Sequence, residues 1–518
     1  MEGIVAPREG IVKARVVERV LVLVEELFAT DPEDEYAAER AVWSVLLEIG
    51  RLLLTALLAR RCWSLARQDL AERGLSMRDV RFRLDADYWA VLKTTLGRIE
   101  VPRFAYRHKT AGGLVTHTPS RSALPLHPHC RSSTLLLRWE TLLGAQTTFR
   151  NAEDLLRVLS HGAVRLHDTT LASHCEVVAS LVERGWLYKT PCEIRELLET
   201  RAVRDEATGK PLLFFSSDAH AERVYDGESW ATTYRMFNGI RLWCMDESKG
   251  RAIPLGGEFL VGDCHAVSDA FVDLIARGIL PADGDYGGGL VAQLVFVADG
   301  MPWFDDLIVP HFPGAEVVLD AYHVLEKLAQ TLGKLFGTGS RAAKRTYNQL
   351  CRWVTGRAPR ENRPRCRTGT PKRKAPKAPY TKHRAFPSYD PASLEAKGLP
   401  GHSGGALLAA LAELKVDEDS AAQAALAGFV AYLSARINRI RYEEFWWRGF
   451  LISSAPMESF NRVAQHRIKR PGTTWTLDMA QAILNLRVMS VIGNDERFWA
   501  DAGVRRAVAH AFKHRSAA

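Results

Sequence analysis

The run LVAQLVFVADG, residues 290–300, constrains this chain more than any other feature. It is almost unbroken in Leu, Val, Ala and Phe, and it ends in Asp299-Gly300. A strand with one wet face alternates apolar and polar residues. One without alternation is covered on both faces, as a central strand of an α/β sheet is. The neighbouring sequence supplies the cover. SDAFVDLIARGIL reads as an amphipathic helix before it; FDDLIVPHF and YHVLEKLAQTLGKLF read as helices after it, with the short strand AEVVLD between them. Upstream, PLLFFSSD reads as a first strand, and FNGIRLWCMD and GRAIPLGGEFLVGD as an antiparallel pair. The order β-β-β-α-β-α-β-α predicts an α/β core, a mixed sheet with helices on its faces.

The rest of the chain is organised around that core. Residues 1–85 predict a helical N-terminal region, with apolar side chains at helical spacing in Val16, Val20, Leu23, Leu27 and again in Val45, Leu46, Ile49, Leu53. Residues 86–130 predict a small β-rich segment with a turn at Gly112-Gly113. Residues 131–190 predict helix, glycine-containing link, helix, with the second helix starting at Asp168 and Thr169. That is the layout of a DNA-binding helix-turn-helix, whose second helix enters the major groove. The core's first part spans 211–344. A helical insertion follows over 345–448, carrying a basic Pro-rich linker at 355–387. The core's second part spans 449–492, and 493–518 is a tail.

Composition narrows the class. The chain has 518 residues, 47% of them hydrophobic and 25% charged, as in a folded multidomain protein. Its eight cysteines include no CxxC pair, which argues against a zinc ribbon or a disulfide framework and fits a reducing cytoplasm. No signal peptide or membrane span is expected. The greasiest stretch, Trp43 to Leu58, is interrupted by Glu48 and Arg51 and reads as a buried helix. The net charge of +9 is concentrated: Thr355 to Pro387 holds eleven Lys/Arg and one Glu, a net of +10, leaving the remainder near −1. A sequestered basic run suits a polyanion partner or a solvated linker.

Three acids stand where chemistry is plausible. Asp218 follows the apolar run of the first strand, and Asp299 closes the most buried one. Groups at strand carboxyl ends converge on a crevice. Carboxylates crowded there repel one another and suffer desolvation, a conflict that a divalent cation resolves. Glu458 lies in the first turn of SSAPMESFNRVAQHRIKR, where a carboxylate also suits the helix dipole. On that helix Met457, Phe460, Ala464 and Ile468 form an apolar stripe, while Glu458, Arg462, Gln465 and Lys469 share another side. Each acid also has a bland reading. Asp299 makes a turn with Gly300, Asp218 an Asx turn, and Glu458 an ion pair with Arg462.

The motifs SSDAH, ADGMPWFDDLIVPHFPGAEVVLDAYHVLEKL and SAPMESFNRVAQHRIKRPGTTWT resemble those of DDE transposases of bacterial insertion sequences, in a branch akin to the Mutator-type enzymes. The resemblance covers roughly residues 87 to 490. It implies a ribonuclease H-like catalytic core and DNA cleavage and strand transfer at terminal inverted repeats. It implies Asp218, Asp299 and Glu458 as metal-binding catalytic acids, two Mg²⁺ ions (or Mn²⁺), and Asp320 and His323 beside the site as an Asp-x-x-His step. Arg462, Arg467, Lys469, Arg470 and Trp475 are implied as DNA contacts, with Lys469, Arg470, Gly472 and Trp475 matching a downstream basic-Gly-Trp element. SSDAH departs from the Asp-Gly of the pattern, so Asp263 and Asp246 stand as fallbacks for the first acid. A homodimer or higher oligomer, acting on DNA in the cytoplasm near the nucleoid, follows from the task of cutting two ends. The alternatives are a ribonuclease H-like nuclease without strand transfer, a transposase-derived DNA-binding protein, and zinc-organised binding through His117, His127, His129 and Cys130.

Overall fold

The computed structural model describes residues 9–83, 89–102, 104–119, 130–225, 231–356, 386–415, 420–470, 473 and 475–514. His127, His129, Gly472 and the basic run 357–385 lie outside them. The chain divides into two compact units, Met1–Glu183 with Asp495–Ala518, and Arg184–Asn494.

The first unit opens with α1 (Glu9–Phe28) and α2 (Glu35–Glu72). Asp34 caps α2 by accepting the Ala37 N–H at 2.7 Å. The expectation of a buried helix around Trp43–Leu58 is corrected here. Trp43 is 44% exposed and Leu57 62%, with Leu46 and Leu53 also exposed. Cover is limited. Toward its C-terminal end α2 sets Cys62 and Ala66 against Ala90, Ile99 and Val101, and Gly50 abuts Leu96, but among the described residues no element covers the whole stripe. By length and composition alone α2 is long and apolar enough to cross a membrane, which the charges between Trp43 and Leu58 did not suggest.

The β-rich segment is two small antiparallel sheets. Strands β1 (Arg81–Arg83), β4 (Ala105–Thr110) and β5 (Gly113–His117) form one; β2 (Trp89–Thr94) and β3 (Gly97–Pro102) form the other. Helices α3 (Thr134–Gln146), α4 (Phe149–Leu159) and α5 (Asp168–Ala179) follow. The helix, link and helix lie where the sequence places them, with the chain turning at His161 and Gly162, both at positive φ. Yet α5 contains no Lys or Arg. It buries Leu171, His174, Cys175 and Val178, and His174 is hydrogen-bonded to Glu140 of α3. That surface is committed to packing rather than free for a groove.

The second unit begins with α6 (Pro191–Thr200), whose Thr190 and Glu193 form a capping box. Strands β6 (Leu212–Tyr225), β7 (Thr232–Met245) and β8 (Ala252–Val261), helix α7 (Cys264–Ala276), β9 (Gln293–Ala298), α8 (Pro302–Leu307), β10 (Glu316–Leu319), α9 (Ala321–Phe336) and α10 (Arg341–Thr355) come next. The sheet order is β10-β9-β6-β7-β8. Strands β10, β9 and β6 are parallel, while β7 and β8 run antiparallel to their neighbours. Every residue of β9 is buried, as its lack of alternation requires. One sheet face packs Phe215 and Phe296 against Phe271 of α7 and Phe304 of α8. The other packs Phe214, Trp243, Val295 and Val297 with α9, α10 and the insertion helices α12 (Ser403–Ala412), α13 (Ser420–Ser434) and α14 (Tyr442–Trp447), while α11 (Pro391–Ala396) packs on α12. The insertion is therefore part of the core. Arg448, just after α14, pairs with Asp205 at 2.8 Å and Glu316 at 2.6 Å. Helices α15 (Ala455–Ile468) and α16 (Leu477–Ile492) close the unit.

Candidate active site

Strand register brings two of the three expected acids to one level. Phe215 pairs with Phe296, so Asp218 and Asp299 lie three residues beyond the same rung of adjacent parallel strands. Side chains alternate along β6, so the Asp218 carboxylate belongs to the face of Phe214, and Asp299, one residue past β9, lies near enough for its charge to act on it. Ser216 Oγ donates to Val297 O at 2.7 Å and ties the strands together just below. On the far side, Leu319 pairs with Ala298, and the Asp320 N–H donates to Ala298 O at 2.7 Å. Asp218, Asp299 and Asp320 thus form a row at the level where β9 and β10 end; β6, expected from sequence to stop at Asp218, runs on to Tyr225 paired with β7.

Helix α15 crosses this row on the face that carries Asp218. It can approach closely because its landing strands carry glycine. Gly239 pairs with Asp218 across β6 and β7, and a Cβ there would overlap Met457 Cε and lie 3.0 Å from Asn461 Oδ1. A Cβ on Gly257 would lie 2.6 Å from Phe460 Cζ. The expected apolar stripe Met457, Phe460, Ala464 and Ile468 is buried. Two polar bonds fix the helix over the acids: Ser454 Oγ donates to Asp320 Oδ2, and Asn461 Nδ2 donates to Asp218 Oδ2 at 2.6 Å. Positions 454, 458 and 461 share one helical face, so Glu458 is placed between the two anchors. It is half-buried.

The electrostatics match that geometry. Burial raises the Asp218 pKa above the usual carboxylate value. The Ala219 N–H opposes the rise, and the negative charge of Asp299 adds to it. Asp299 Oδ1 accepts the Met301 N–H at 3.0 Å, the Asx turn of its bland reading. Asp320 is fully committed: it caps α9 through the Tyr322 N–H at 2.8 Å, accepts from Ser454, and lies 3.1 Å from His323 Nδ1. Among the described residues, no group of three or more His, Cys, Asp or Glu side chains is arranged to hold a metal ion. The three acids therefore form no closed cage. Two crowded carboxylates with hard oxygen donors still fit Mg²⁺, which is bound through one or two carboxylates together with water and substrate phosphate.

The fallback acids are engaged elsewhere. Asp246 is bonded to Arg201 and Ser248 beyond the opposite end of β7, and Asp263 caps α7. Among the expected DNA contacts, Arg462, Lys469 and Arg470 are exposed, and Lys469 Nζ lies 3.5 Å from Glu222 Oε1. Two are corrected. Arg467 is 1% exposed and Trp475 5%, and the guanidinium stacks over the indole at 4.4 Å, so both belong to the interior. The HPHC reading meets a buried Cys130. Burial pushes its thiol up to about 12, the opposite of a metal-binding thiolate.

Several site residues were not singled out from sequence. Asn461 and Ser454 lie one turn either side of Glu458, and their position on its helical face was the available signal. His220 and Glu222 continue the Asp218 face of β6, with His220 Nε2 3.1 Å from Glu222 Oε1. Tyr432 and Arg436, at the end of α13 and just beyond it, reach the backbone of Asp299-Gly300, and nothing local announces them.

No protein-family model matches this chain, and no curated protein matches it. Among solved structures it has a match to the Drosophila P element transposase strand transfer complex. The two share 12% identity over 73% of this chain and 80% of that one, with a TM-score of 0.22.

Proposed function

We propose that the second unit is the catalytic core of a DNA transposase, of ribonuclease H-like type, with Asp218, Asp299 and Glu458 as its acids. The observation that carries this reading is the convergence of Asp218, in mid-β6, with Asp299, just past the end of β9, under a helix that holds Glu458 between Ser454 and Asn461. The strand order β10-β9-β6-β7-β8, antiparallel on one side and parallel on the other, supports the core type, and the motif resemblance supports the reaction. A pair of Mg²⁺ or Mn²⁺ ions held by these acids would supply the Lewis acidity that phosphodiester cleavage and strand transfer need.

The chain's own groups have separable tasks in this reading. Asn461 orients one Asp218 oxygen, while the other accepts the Ala219 N–H at 2.8 Å. Ser454 ties the start of α15 to Asp320, which keeps Glu458 beside the strand ends. Asp320 holds His323 Nδ1 and so orients the ring beside the row of acids. Arg462 and Arg470 hold the DNA backbone without reading sequence. The partners are the element's terminal inverted repeats and the target DNA. Two ends cut together call for at least a dimer, acting where the nucleoid is.

The test uses labelled DNA carrying the element's ends, with the full chain and Mg²⁺. Wild type cleaves and joins a 3′-hydroxyl end to target. Asp299→Asn and Glu458→Gln each lose at least about a hundredfold in cleavage, a magnitude typical of removing one electrostatic contributor, while retaining DNA binding. Cleavage without joining would favour the nuclease alternative. Binding without cleavage by wild type would favour the DNA-binding one.

A further inference from the structure

The insertion helices reach the second acid through its backbone. Tyr432 Oη donates to Asp299 O at 2.9 Å. Arg436 donates to Gly300 O from Nε at 3.1 Å and from Nη2 at 2.7 Å, and Nη1 donates to Tyr432 O at 3.2 Å. The two side chains also hold each other, since the Arg436 guanidinium lies 4.6 Å from the centre of the Tyr432 ring. Lys327 Nζ lies 4.8 Å from the same ring. All of this converges on a strand that ends at Ala298, so the peptide carrying Asp299 has left the sheet and no ladder holds its carbonyls.

Gly300 shows how tight the arrangement is. Its φ is +84°, a region that favours glycine. A Cβ there would stand 2.8 Å from Arg436 Nε, 2.8 Å from Leu319 Cδ1 and 3.0 Å from Tyr432 Oη. The Asp-Gly pair that reads as a simple turn in sequence is therefore also a docking point for another segment. The neighbouring strand end is held the same way, with buried Tyr442 Oη donating to Leu319 O at 2.9 Å, immediately before Asp320.

We infer that Tyr432 and Arg436 are positioning residues that clamp the Asp299-Gly300 peptide from the insertion and so aim the Asp299 carboxylate at the site. The inference rests on the assignment of Asp299 as a catalytic acid for its functional consequence, but the clamp has a readout of its own. The Met301 N–H donates to Asp299 Oδ1, so exchange of that amide reports whether the carboxylate is held.

The experiment compares full-length wild type, Tyr432→Phe, Arg436→Ala and Arg436→Lys. Amide hydrogen exchange over 297–304 is measured without added metal, and DNA cleavage is measured with Mg²⁺. Arg436→Ala is expected to speed exchange at Met301 about tenfold while exchange across β6 and β7 stays at wild-type rates. Its kcat falls about a hundredfold with the KM for DNA within about twofold, the signature of misplacing a reacting group. Tyr432→Phe gives a smaller change in the same direction. Arg436→Lys recovers part of both, because one ammonium cannot make the paired contact to Gly300 O. Wild-type exchange at Met301 in both Tyr432→Phe and Arg436→Ala overturns the clamp. Faster exchange across the whole sheet also overturns it, since that is general loosening. If the exchange result holds but Asp299→Asn cleaves like wild type, the clamp stands and the catalytic assignment of Asp299 fails.

Discussion

Asp218 carries a conflict that is measurable on its own. Its pKa is raised chiefly by burial and further by Asp299, so the folded chain binds its proton more tightly than the unfolded chain does. Ionised Asp218 therefore destabilises the fold at neutral pH, and the penalty is relieved as pH falls through the raised value. Asp218→Asn keeps the shape and removes the charge. In the presence of a chelator it is expected to raise the thermal midpoint of this unit by roughly 2 °C at neutral pH, with the advantage shrinking as the solution is acidified. An advantage that grows with acidification would contradict this reading of the site. Arg448 shows the reverse case. The Asp205 pKa is lowered because hydrogen bonds, foremost from Arg448, overcome the cost of burial. Arg448→Met leaves Asp205 and Glu316 without that partner and is expected to cost about 3–5 kcal/mol in urea unfolding at pH 7, with part of the loss fading as pH falls and Asp205 protonates. A loss under about 1 kcal/mol would show that the network is mainly a surface feature.

At the scale of elements, α15 and the strands beneath it depend on two glycines whose roles differ. The obstacles at Gly239 are Met457 Cε, the far end of a flexible side chain, and the Asn461 amide. At Gly257 they include the Ile240 carbonyl at 2.8 Å, which is backbone and cannot swing away. Gly257→Ala is therefore expected to cost about 1–3 kcal/mol, the range for overpacking. Gly239→Ala costs less stability but more cleavage, because it pushes Asn461 off Asp218. Urea unfolding and cleavage rates on the two variants separate these effects; equal losses of stability would contradict the difference. The elements also show what was legible in sequence. The strand run ending at Asp299, the antiparallel pair that became β7 and β8, and the stripe on α15 all follow local periodicity, and the structure has them. Asn461, Tyr432 and Arg436 were not singled out because their roles arise from contacts more than a hundred residues apart. The burial of Arg467 and Trp475 was missed for a related reason: beside Lys469 and Arg470 they look like a basic surface, and only the packing of α15 on the sheet turns them inward. The apolar spacing of α2 was plain, but the cover available to it was not.

At the scale of the whole molecule, charge and fold are separated. The described part of the second unit contains the acids, while the run 357–385 holds the eleven cations that account for the net positive charge. If those cations meet DNA, deleting 357–385 flattens the dependence of binding on salt by about 0.9 in log–log slope for each phosphate that the run neutralises. An unchanged slope returns the run to a linker. The most direct measurement of the central claim replaces Mg²⁺ with Fe²⁺ and maps where locally generated radicals cut the polypeptide. Cuts are expected in three separate segments, near residues 218, 299 and 458, all diminished together in Asp299→Asn. Cuts at unrelated positions, or cuts near 218 and 299 that never include the start of α15, would contradict the convergence of these acids on shared ions.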